Sequence, residues 1–530
     1  MSGRRGRLLM SLKDRLCRKP KLYHRNKSTM ISSISSEDIP ATEMSRIDST
    51  VRPFNEVPGP KCYPFIGTLP YYLPGGRFHK KEHNEVSKIL RKEFGNLYKE
   101  TLLGGKTMVH TFDAADVETV YRNEGKYPVR EAFMTLGHFN KKFQSNSQGL
   151  LTSQMERWHH LRVNVQKKML LPKTVAAYIP EHCLVANDLM CRIASSKETD
   201  GIIEDLRPHL TKYAAECIGV VCFNKRLGAF LDGDNALEAS RFIKAVQDVM
   251  LVSHLEVRQF PLFKLFNTPT FNKFIKSQTI IKEIAIKYSN IALEAAQQRL
   301  EAGDSVDGEH GDLVPYLMSK SSLSNEDVLT VISEFIFAGV DTTSHHLSFL
   351  LYLLGQHPHI QNKLYDEIRT HLPTNESPIT EKHIRNMPYL KAVAKETHRL
   401  LPVAPAHLRQ TNVDTVLSGY HIPAGTTVAM HSTFIGQDAK EFPEPDVFKP
   451  ERWIRSNTSP KKNHPFAMTP FGFGPRGCIG MRFAEQETQI AVIKILQRYR
   501  LEYVGEPLRL EASITFKPAN KMAFRFTKRL

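Results

Sequence analysis

The amino-acid sequence predicts a mainly α-helical protein with a minor β part, built as one large unit. Apolar side chains recur at helical spacing through much of residues 79–400. Short alternation of apolar and polar residues, which is typical of strands, is confined to residues 403–432 and 504–530. The 530 residues contain no internal repeat and no second clean linker, so we expect one large domain.

Composition excludes several classes of protein. Hydrophobic residues make up 41% of the chain and charged residues 24%, which are ordinary values for a globular protein. These values exclude collagen-like, coiled-coil and wholly disordered chains. The mean hydropathy is -0.34. Because no run of about 18 apolar residues occurs, we expect no transmembrane helix.

The order of elements follows from local patterns. A stiff stretch rich in Pro and Gly, residues 57–67, marks the start of the folded domain. Gly, Asp and Ser predict a surface loop over 303–313, and Pro and Gly predict an irregular segment over 440–475. Helical spacing predicts helices near 79–93, 114–124, 155–170, 205–300 with a break at 260–266, 326–355, 358–371, 387–400 and 480–497.

The first 36 residues are strongly basic. They contain ten Lys or Arg and a single acidic residue, Asp14, within a chain of formal net charge +17. They are also rich in Ser and lack a long apolar core, which is typical of a mitochondrial transit peptide. A disordered basic tail, or an arm for nucleic acid or membrane, has the same composition. We interpret residues 1–36 as a transit peptide and 37–54 as a linker, and we expect no nucleic-acid partner.

The cysteines do not predict a disulfide framework. The chain has seven cysteines, without a C-x-x-C pair or a Cys/His zinc spacing, so we expect an intracellular protein. Cys478 stands out because it lies in the glycine-rich stretch FGFGPRGCIG, just before a predicted helix. A helix N-terminus and a neighbouring Arg favour the thiolate. Such a thiolate suits a nucleophile or a metal ligand, and spacing identifies no nearby base.

The pattern F-x-x-G-x-R-x-C-x-G, from Phe471 to Gly480, resembles the haem-binding loop of the cytochrome P450 family. The resemblance implies that Cys478 is the axial thiolate ligand of haem b (iron protoporphyrin IX), with Phe471 and Arg476 beside it. Such a ligand pushes electron density toward the iron and favours O–O cleavage. The alternative is a buried structural cysteine in a turn.

A second motif, Glu396-Thr397-His398-Arg399, matches the family's E-x-x-R. The i, i+3 spacing places Glu396 and Arg399 on one helical face. Together with the later stretch PERW, the resemblance implies a buried lock of Glu396, Arg399 and Arg452 that fixes the segment leading to Cys478. Without the other motifs, a Glu and an Arg at this spacing more commonly form a solvated pair on the protein surface.

The third motif is the stretch AGVDTT at 338–343, which resembles the family's [AG]-G-x-[DE]-T-T. A glycine, an acid and hydroxyls inside an apolar helix cost stability, which indicates a functional reason. The resemblance implies a widened helix groove for O2, a hydrogen bond from Thr342 to the bound oxygen, and proton transfer through Asp341. The alternative is that Asp341 or Thr342 caps the start of a new helix.

A fourth motif, WHHLR at 158–162, matches the family's W-x-x-x-R. The i, i+4 spacing places the Trp158 indole and the Arg162 guanidinium on one helical face, which suits a haem propionate. The resemblance adds Arg476 and Arg409 as candidates for further propionate contacts. Each arginine taken singly is more commonly a surface charge.

Four motifs in the family's order cover about residues 55–528. The resemblance implies a cytochrome P450 domain over 55–530, made of a helical part and small β-sheets. It places the haem between the helix that carries Thr342 and the loop that carries Cys478.

Within this family the chain resembles the mitochondrial branch, because it has a basic, Ser-rich start where most eukaryotic relatives of the endoplasmic reticulum carry a membrane helix. Members of this branch take electrons from a small acidic ferredoxin (adrenodoxin-like), which an NADPH reductase serves. Lys391 and Lys395 match the branch's docking lysines, and an anionic partner would relieve their mutual repulsion. A solvated basic face is the alternative. After the haem loop the branch often has two basic residues, where this chain has Met481 and Arg482.

The segment 260–271 is dense in aromatic residues with interspersed lysines, which suits a membrane interface where apolar substrates enter. A packed core or the roof of a substrate pocket is equally consistent with this composition. We expect a peripheral contact with the matrix side of the mitochondrial inner membrane, with Phe260, Phe263 and Phe266 in the interface.

The resemblance therefore implies a ferredoxin-coupled monooxygenase. It would insert one atom of O2 into a lipophilic, steroid- or sterol-like substrate and release the other atom as water. One alternative is a mitochondrial monooxygenase that oxidises xenobiotics. The others are a haem-thiolate isomerase, which often lacks the Asp-Thr pair, and a non-catalytic haem-thiolate sensor.

Overall fold

The computed structural model describes residues 50–529 except for 102–104, 131–132, 144–146, 258–261, 303–311, 455–462 and 513, and except for the side chains of 254–257. The predicted transit peptide, most of the predicted linker and most of the loop at 303–313 lie outside the described residues. Arg52 contacts the folded unit, since its backbone N–H donates to Gly419 O at 3.0 Å. This contact falls inside the segment predicted as a linker.

The described part is mainly helical, which confirms the predicted fold class. The first eight helices are α1 (His83–Phe94), α2 (Ala114–Arg122), α3 (Met134–Phe143), α4 (Gly149–Thr152), α5 (Met155–Leu170), α6 (Pro172–Ala176), α7 (Ile179–Ser196) and α8 (Arg207–Phe223). The following helices are α9 (Asp234–Val257), α10 (Pro269–Glu301), α11 (Leu313–Met318), α12 (Asn325–Gln356), α13 (Pro358–His371), α14 (Glu381–Arg385), α15 (Pro388–Leu400), α16 (Ser432–Gly436) and α17 (Met481–Arg498).

The strands form small sheets at the sides of the helical part. They are β1 (Leu97–Thr101), β2 (Thr107–Thr111), β3 (Ile202–Ile203), β4 (His407–Gln410), β5 (Thr415–Leu417), β6 (Tyr420–Ile422), β7 (Thr427–Met430), β8 (Tyr499–Tyr503), β9 (Leu510–Ala512), β10 (Phe516–Pro518) and β11 (Phe524–Lys528). The largest sheet has the order β1-β2-β7-β4, and β2 and β7 pair in parallel. A second sheet has the order β3-β11-β8, and β5–β6 and β9–β10 are antiparallel pairs.

The long helix α12 is the centre of the molecule. Its start is defined by a capping box, in which Ser324 and Asp327 exchange hydrogen bonds between side chain and backbone. Most of its side chains are buried, since α8, α10, α15 and α17 pack around it. A helix that is apolar on nearly every face is expected in such a core position. Among the described residues no helix has the length and apolar character that crossing a membrane requires.

The observed helices differ from the predicted ones mainly between 97 and 233. The hairpin β1–β2 and the helix α7 had no prediction, and the helical run predicted from 205 is broken after Phe223. The break follows Asn224, which has a left-handed φ of 51° and ends α8. The strand β8 begins directly after α17, so strand structure starts before residue 504.

Candidate active site

Cys478 lies on a loop that two glycines shape. Gly472 and Gly474 have φ values of 69° and 74°, in the left-handed region that favours glycine. The Cys478 backbone N–H donates to Phe471 O at 2.8 Å, which closes the loop. Helix α17 begins at Met481. The thiol therefore lies just before a helix N-terminus.

Desolvation and positive charge act on the Cys478 thiol in opposite directions. Its side chain is solvent-accessible, yet the surrounding protein desolvates the thiol enough to raise its pKa. The backbone N–H groups of Gly480 and Met481 and the guanidinium groups of Arg162 and Arg130 oppose this rise, because they stabilise the thiolate. A metal cation bound to the sulfur would complete the deprotonation.

Trp158, Arg162 and Arg476 lie together beside this loop. Trp158 and Arg162 are both buried on α5, on the shared face that their spacing predicts. The Arg476 guanidinium lies 4.3 Å from the centroid of the Trp158 ring. It donates hydrogen bonds to Pro128 O at 2.9 Å and Ser153 O at 2.6 Å. These backbone contacts hold Arg476 in place without neutralising its charge.

Arg409 on β4 reaches the same region and has a carboxylate partner there. Its Nε lies 2.6 Å from Glu124 Oε2, and both side chains are buried. Its Nη2 donates to Phe473 O at 3.3 Å. Glu124 also accounts for the absence of a side chain at Gly474, since a Cβ at that position would lie 2.0 Å from Glu124 Oε1. No feature of the sequence indicates Glu124, because the pair joins residues 285 positions apart.

Arg130 completes a cluster of four arginines, Arg130, Arg162, Arg409 and Arg476, which we call the arginine cluster. Arg130 was not among the site residues predicted from the sequence. Burial lowers the pKa of Arg130 and of Arg162 to about 10. Burial, followed by repulsion from Arg130, Arg409 and Arg162, lowers that of Arg476 to about 9. Arg130, Arg162 and Arg476 therefore stay charged at neutral pH.

The arginine cluster has more donors than the described protein satisfies. Arg130 Nε, Arg162 Nε and Arg476 Nη1 are buried and have no hydrogen-bond partner among the described residues. An unsatisfied buried donor costs about 1–3 kcal/mol. Within the described part, the cluster forms an ion pair only with Glu124. These residues fit a haem, because two propionates would accept from the guanidinium groups while Cys478 would bind the iron.

Asp341 and Thr342 lie in the middle of α12, which runs through them without a break. The alternative that either residue caps a new helix is therefore wrong. The Thr342 hydroxyl donates to Ala338 O at 2.7 Å. Asp341 is 5% exposed, and its burial raises its pKa to about 6, against a smaller opposing effect of Lys517. A carboxyl with this pKa exchanges protons readily near neutral pH.

The structure gives Gly339 a packing role. A Cβ at this position would lie 2.9 Å from Cγ1 of Ile218 on α8. The glycine therefore lets α8 and α12 approach closely. The family resemblance implied a widened groove for O2 at this glycine, and the contact with Ile218 is a sufficient physical reason for the glycine.

Glu396 is the centre of a buried network on α15. Arg399 donates to it from Nε at 2.9 Å and from Nη2 at 2.8 Å, and Arg452 donates from Nε at 2.8 Å. Two further donors, Trp453 Nε1 at 2.8 Å and Lys449 N at 3.0 Å, had no prediction. The structure thus brings together the three residues of the proposed lock and ties α15 to the irregular segment that precedes Cys478.

Two histidines connect these motifs. His398, inside the E-x-x-R stretch, stacks on His346 of α12 with ring centroids 3.7 Å apart. It also meets the Phe471 ring edge-on at 5.0 Å. Phe471 therefore belongs to the packing between α12, α15 and the loop that carries Cys478 (residues 471–480, the thiol loop). Burial lowers the pKa of both histidines, so the stack is neutral at physiological pH.

Lys391 and Lys395 are exposed on one side of α15. The Lys391 ammonium donates to Arg385 O at 2.8 Å. The Lys395 ammonium lies 4.1 Å from the centroid of the Trp453 ring. The two lysines therefore present charge to solvent from fixed positions. Arg482 lies nearby, since Arg482 and Lys391 both act on Glu485.

The proposed membrane segment is only partly exposed. Phe263 is 3% exposed and packs against His138 and Phe271, so its expected place in the membrane is wrong. Leu265 and Phe266 are 75% and 58% exposed. Phe260 lies outside the described residues. The alternative of a packed core thus holds for part of the segment and an exposed apolar surface for the rest.

Comparison with known proteins gives a consistent result. The family model for cytochrome P450 matches residues 57–522. A probable mitochondrial cytochrome P450 12d1 (proximal) of Drosophila melanogaster is 30% identical over 494 residues, covering 91% of this chain and 93% of that protein. The probable cytochrome P450 CYP44 of Caenorhabditis elegans is 30% identical over 499 residues, covering 93% and 97%. The mitochondrial cytochrome P450 12b1 of Drosophila acanthoptera is 29% identical over 483 residues, covering 88% of each chain.

Proposed function

Because this chain belongs to the cytochrome P450 family, we propose that it is a haem-thiolate monooxygenase that hydroxylates a lipophilic, steroid- or sterol-like substrate. We propose further that a mitochondrial ferredoxin supplies its electrons. The observation that carries the proposal is the arginine cluster beside Cys478, whose buried donors lack partners among the described residues. A ligand with two carboxylates, bound next to the Cys478 thiolate, would accept hydrogen bonds from these donors and would also explain why the arginines lie beside the thiolate.

The protein's own residues divide the work. Haem, when bound, activates O2 so that one oxygen atom enters a C–H bond and the other leaves as water. Cys478 would hold the iron, and Arg130, Arg162 and Arg476 would bind the propionates. Asp341 would take protons from solvent and pass them to Thr342, whose hydroxyl must first leave Ala338 O. The presence of both Asp341 and Thr342 favours monooxygenation over isomerisation.

The first experiment is the carbon monoxide difference spectrum of the reduced protein, recorded for the full chain and for Cys478→Ser. We expect a strongly red-shifted Soret band in the wild type that is lost in the variant, because only a thiolate ligand produces that shift. A folded, soluble wild type without a haem signal would overturn the proposal. An unchanged band in the Cys478→Ser variant would show that Cys478 is not the ligand of the iron.

The exposed lysines of α15 support an acidic electron donor. Lys391 and Lys395 are held one turn apart, and Arg482 adds a third positive charge close by. Long-range attraction to a negatively charged ferredoxin, itself reduced by an NADPH-dependent reductase, would raise the association rate.

Replacing both docking lysines tests this partner. We expect Lys391→Gln with Lys395→Gln to slow ferredoxin-supported reduction at least about tenfold at low salt, because steering is electrostatic. Haem content should stay unchanged. Lys225→Gln with Lys528→Gln is the control, since it removes the same charge from exposed lysines of other elements. Equal reduction rates in the two double variants would argue against the docking site.

Relatives whose names include the word mitochondrial support the proposed localisation. We place the protein on the matrix side of the inner membrane, in peripheral contact through the exposed Leu265 and Phe266. Apolar substrates dissolved in the bilayer would be concentrated at such a surface.

A further inference from the structure

A basic recess lies next to this exposed apolar surface. It is an open depression of about 360 Å³, lined by residues of α3 and of the segment before α10, namely His138, Lys141, Lys142, Phe263, Lys264, Leu265 and Phe266. We propose that this recess binds the phosphate of one anionic phospholipid from the membrane. The inference rests on the proposed membrane contact for its location, and it adds a specific ligand.

The charges of the recess favour an anion. Lys141, Lys142 and Lys264 are exposed, and none of the described lining residues is acidic. Their combined field reaches His138, whose pKa is lowered by burial and then by repulsion from the three lysines. Lys142 donates to Asn267 Oδ1 at 3.0 Å, a contact that leaves its charge uncompensated. A phosphate would supply the missing negative charge.

The apolar parts of the recess favour a lipid over a free anion. Phe263 forms a buried floor, and the side chains of Leu265 and Phe266 project beside the lysines. A second groove of about 270 Å³ follows the other side of α3, lined by Phe139, Phe143, Ile275, Thr279, Lys282, Glu283 and Ile286. The ammonium of Lys142, which lines the recess, lies 5.5 Å from the centroid of the ring of Phe143, which lines the groove. A headgroup at the lysines would therefore leave an acyl chain beside the apolar side chains of this groove, which are Phe139, Phe143, Ile275 and Ile286.

An acidic segment of another protein would also meet the lysines. The exposed Leu265 and Phe266 favour the lipid, because apolar side chains beside a ring of lysines match the boundary between headgroups and acyl chains. Lys106, at the turn between β1 and β2, extends the basic surface, since Lys264 acts on its pKa.

Vesicle binding by the full-length holoprotein tests the proposal. Vesicles of phosphatidylcholine alone are compared with vesicles that contain phosphatidylglycerol, for the wild type and for Lys141→Gln, Lys142→Gln and Lys264→Gln combined. We expect the wild type to prefer phosphatidylglycerol vesicles and the triple variant to lose about tenfold or more of that affinity. Binding to phosphatidylcholine should stay equal in the two proteins. The carbon monoxide spectrum and thermal unfolding verify that the variant is folded.

A matched control separates a site from general attraction. Lys225→Gln, Lys382→Gln and Lys528→Gln remove the same charge from exposed lysines elsewhere. Equal losses in both triple variants would overturn the proposal, since a diffuse field would then explain the preference. Displacement of the protein by millimolar inorganic phosphate at constant ionic strength would indicate a free-phosphate site and would also overturn it. Wild-type protein that binds neither kind of vesicle would refute the membrane contact itself, whereas binding without lipid preference refutes only the phospholipid site.

Discussion

Asp341 lowers the stability of the folded protein, and the same property suits it to the proposed transfer of protons. Its carboxyl is buried in the core helix α12, and burial raises its pKa to about 6. The folded protein therefore binds the proton more tightly than the unfolded chain does. The ionised form is penalised at neutral pH, and the difference from the ordinary 3.8 corresponds to roughly 3 kcal/mol. A proton relay requires a group of this kind.

This penalty predicts a pH-dependent effect of Asp341→Asn. Because asparagine does not titrate, the variant should be more stable than the wild type at pH 8, by up to about 3 kcal/mol. The advantage should shrink as the pH falls through 6 toward 4, since the wild-type carboxyl then becomes protonated in the folded state. Urea unfolding at several pH values measures it. An advantage of the same size at pH 8 and pH 5 would show that burial of the charge is not its cause.

At the scale of elements, Glu334 connects the central helix to the segment before α5. Its Oε2 accepts from the backbone N–H groups of Leu150 at 2.6 Å and Leu151 at 3.1 Å. These groups belong to the short helix α4, whose first residue, Gly149, lies directly against the carboxyl. Burial raises the pKa of Glu334 to about 8, so the side chain serves mainly as an acceptor for α4.

Two uncharged substitutions of Glu334 measure what its hydrogen bonds to α4 contribute to stability. Glu334→Gln keeps an acceptor for both backbone N–H groups, whereas Glu334→Leu leaves them buried and unpaired. We expect the Leu variant to be about 2–4 kcal/mol less stable than the Gln variant. Chemical unfolding of the two variants measures this difference. Equal stability would mean that α4 is held by its apolar contacts alone.

At the scale of the whole molecule, the arginine cluster couples folding to the proposed cofactor. Four like charges are gathered from α5, β4, the thiol loop and the segment before α3. Their repulsion opposes folding until an anionic ligand is bound. A ligand that binds only the folded state stabilises it by mass action.

Removing one charge should therefore narrow the stability difference between haem-loaded and haem-depleted protein. We expect Arg130→Leu to raise the unfolding temperature of the depleted form, because repulsion falls, and to lower that of the loaded form. Differential scanning calorimetry of both forms measures it. Arg122→Leu is the control, since Arg122 is exposed and paired with Glu118. If the difference in unfolding temperature between the loaded and depleted forms is the same in Arg130→Leu as in the wild type, Arg130 does not contact the haem.

Much of the fold was predictable because helices and motifs are local. The predicted helix at 358–371 matches α13 at both ends, and the central helix was placed to within one residue at each end. Periodicity over a few turns carries that information. The helix α7 was missed, and so was the hairpin β1–β2, which joins the larger sheet through the pairing of β2 with the distant β7.

The sequence by itself determined the family, the thiol loop and the helices that carry Asp341, Glu396 and Arg162, since each is written in a short stretch of chain. The tertiary structure added the partners of these residues. Glu124 meets Arg409 across 285 positions, Ile218 accounts for Gly339, and Phe263 is buried although its neighbours are exposed. Burial and pairing depend on which distant surfaces meet, and local composition does not encode that choice.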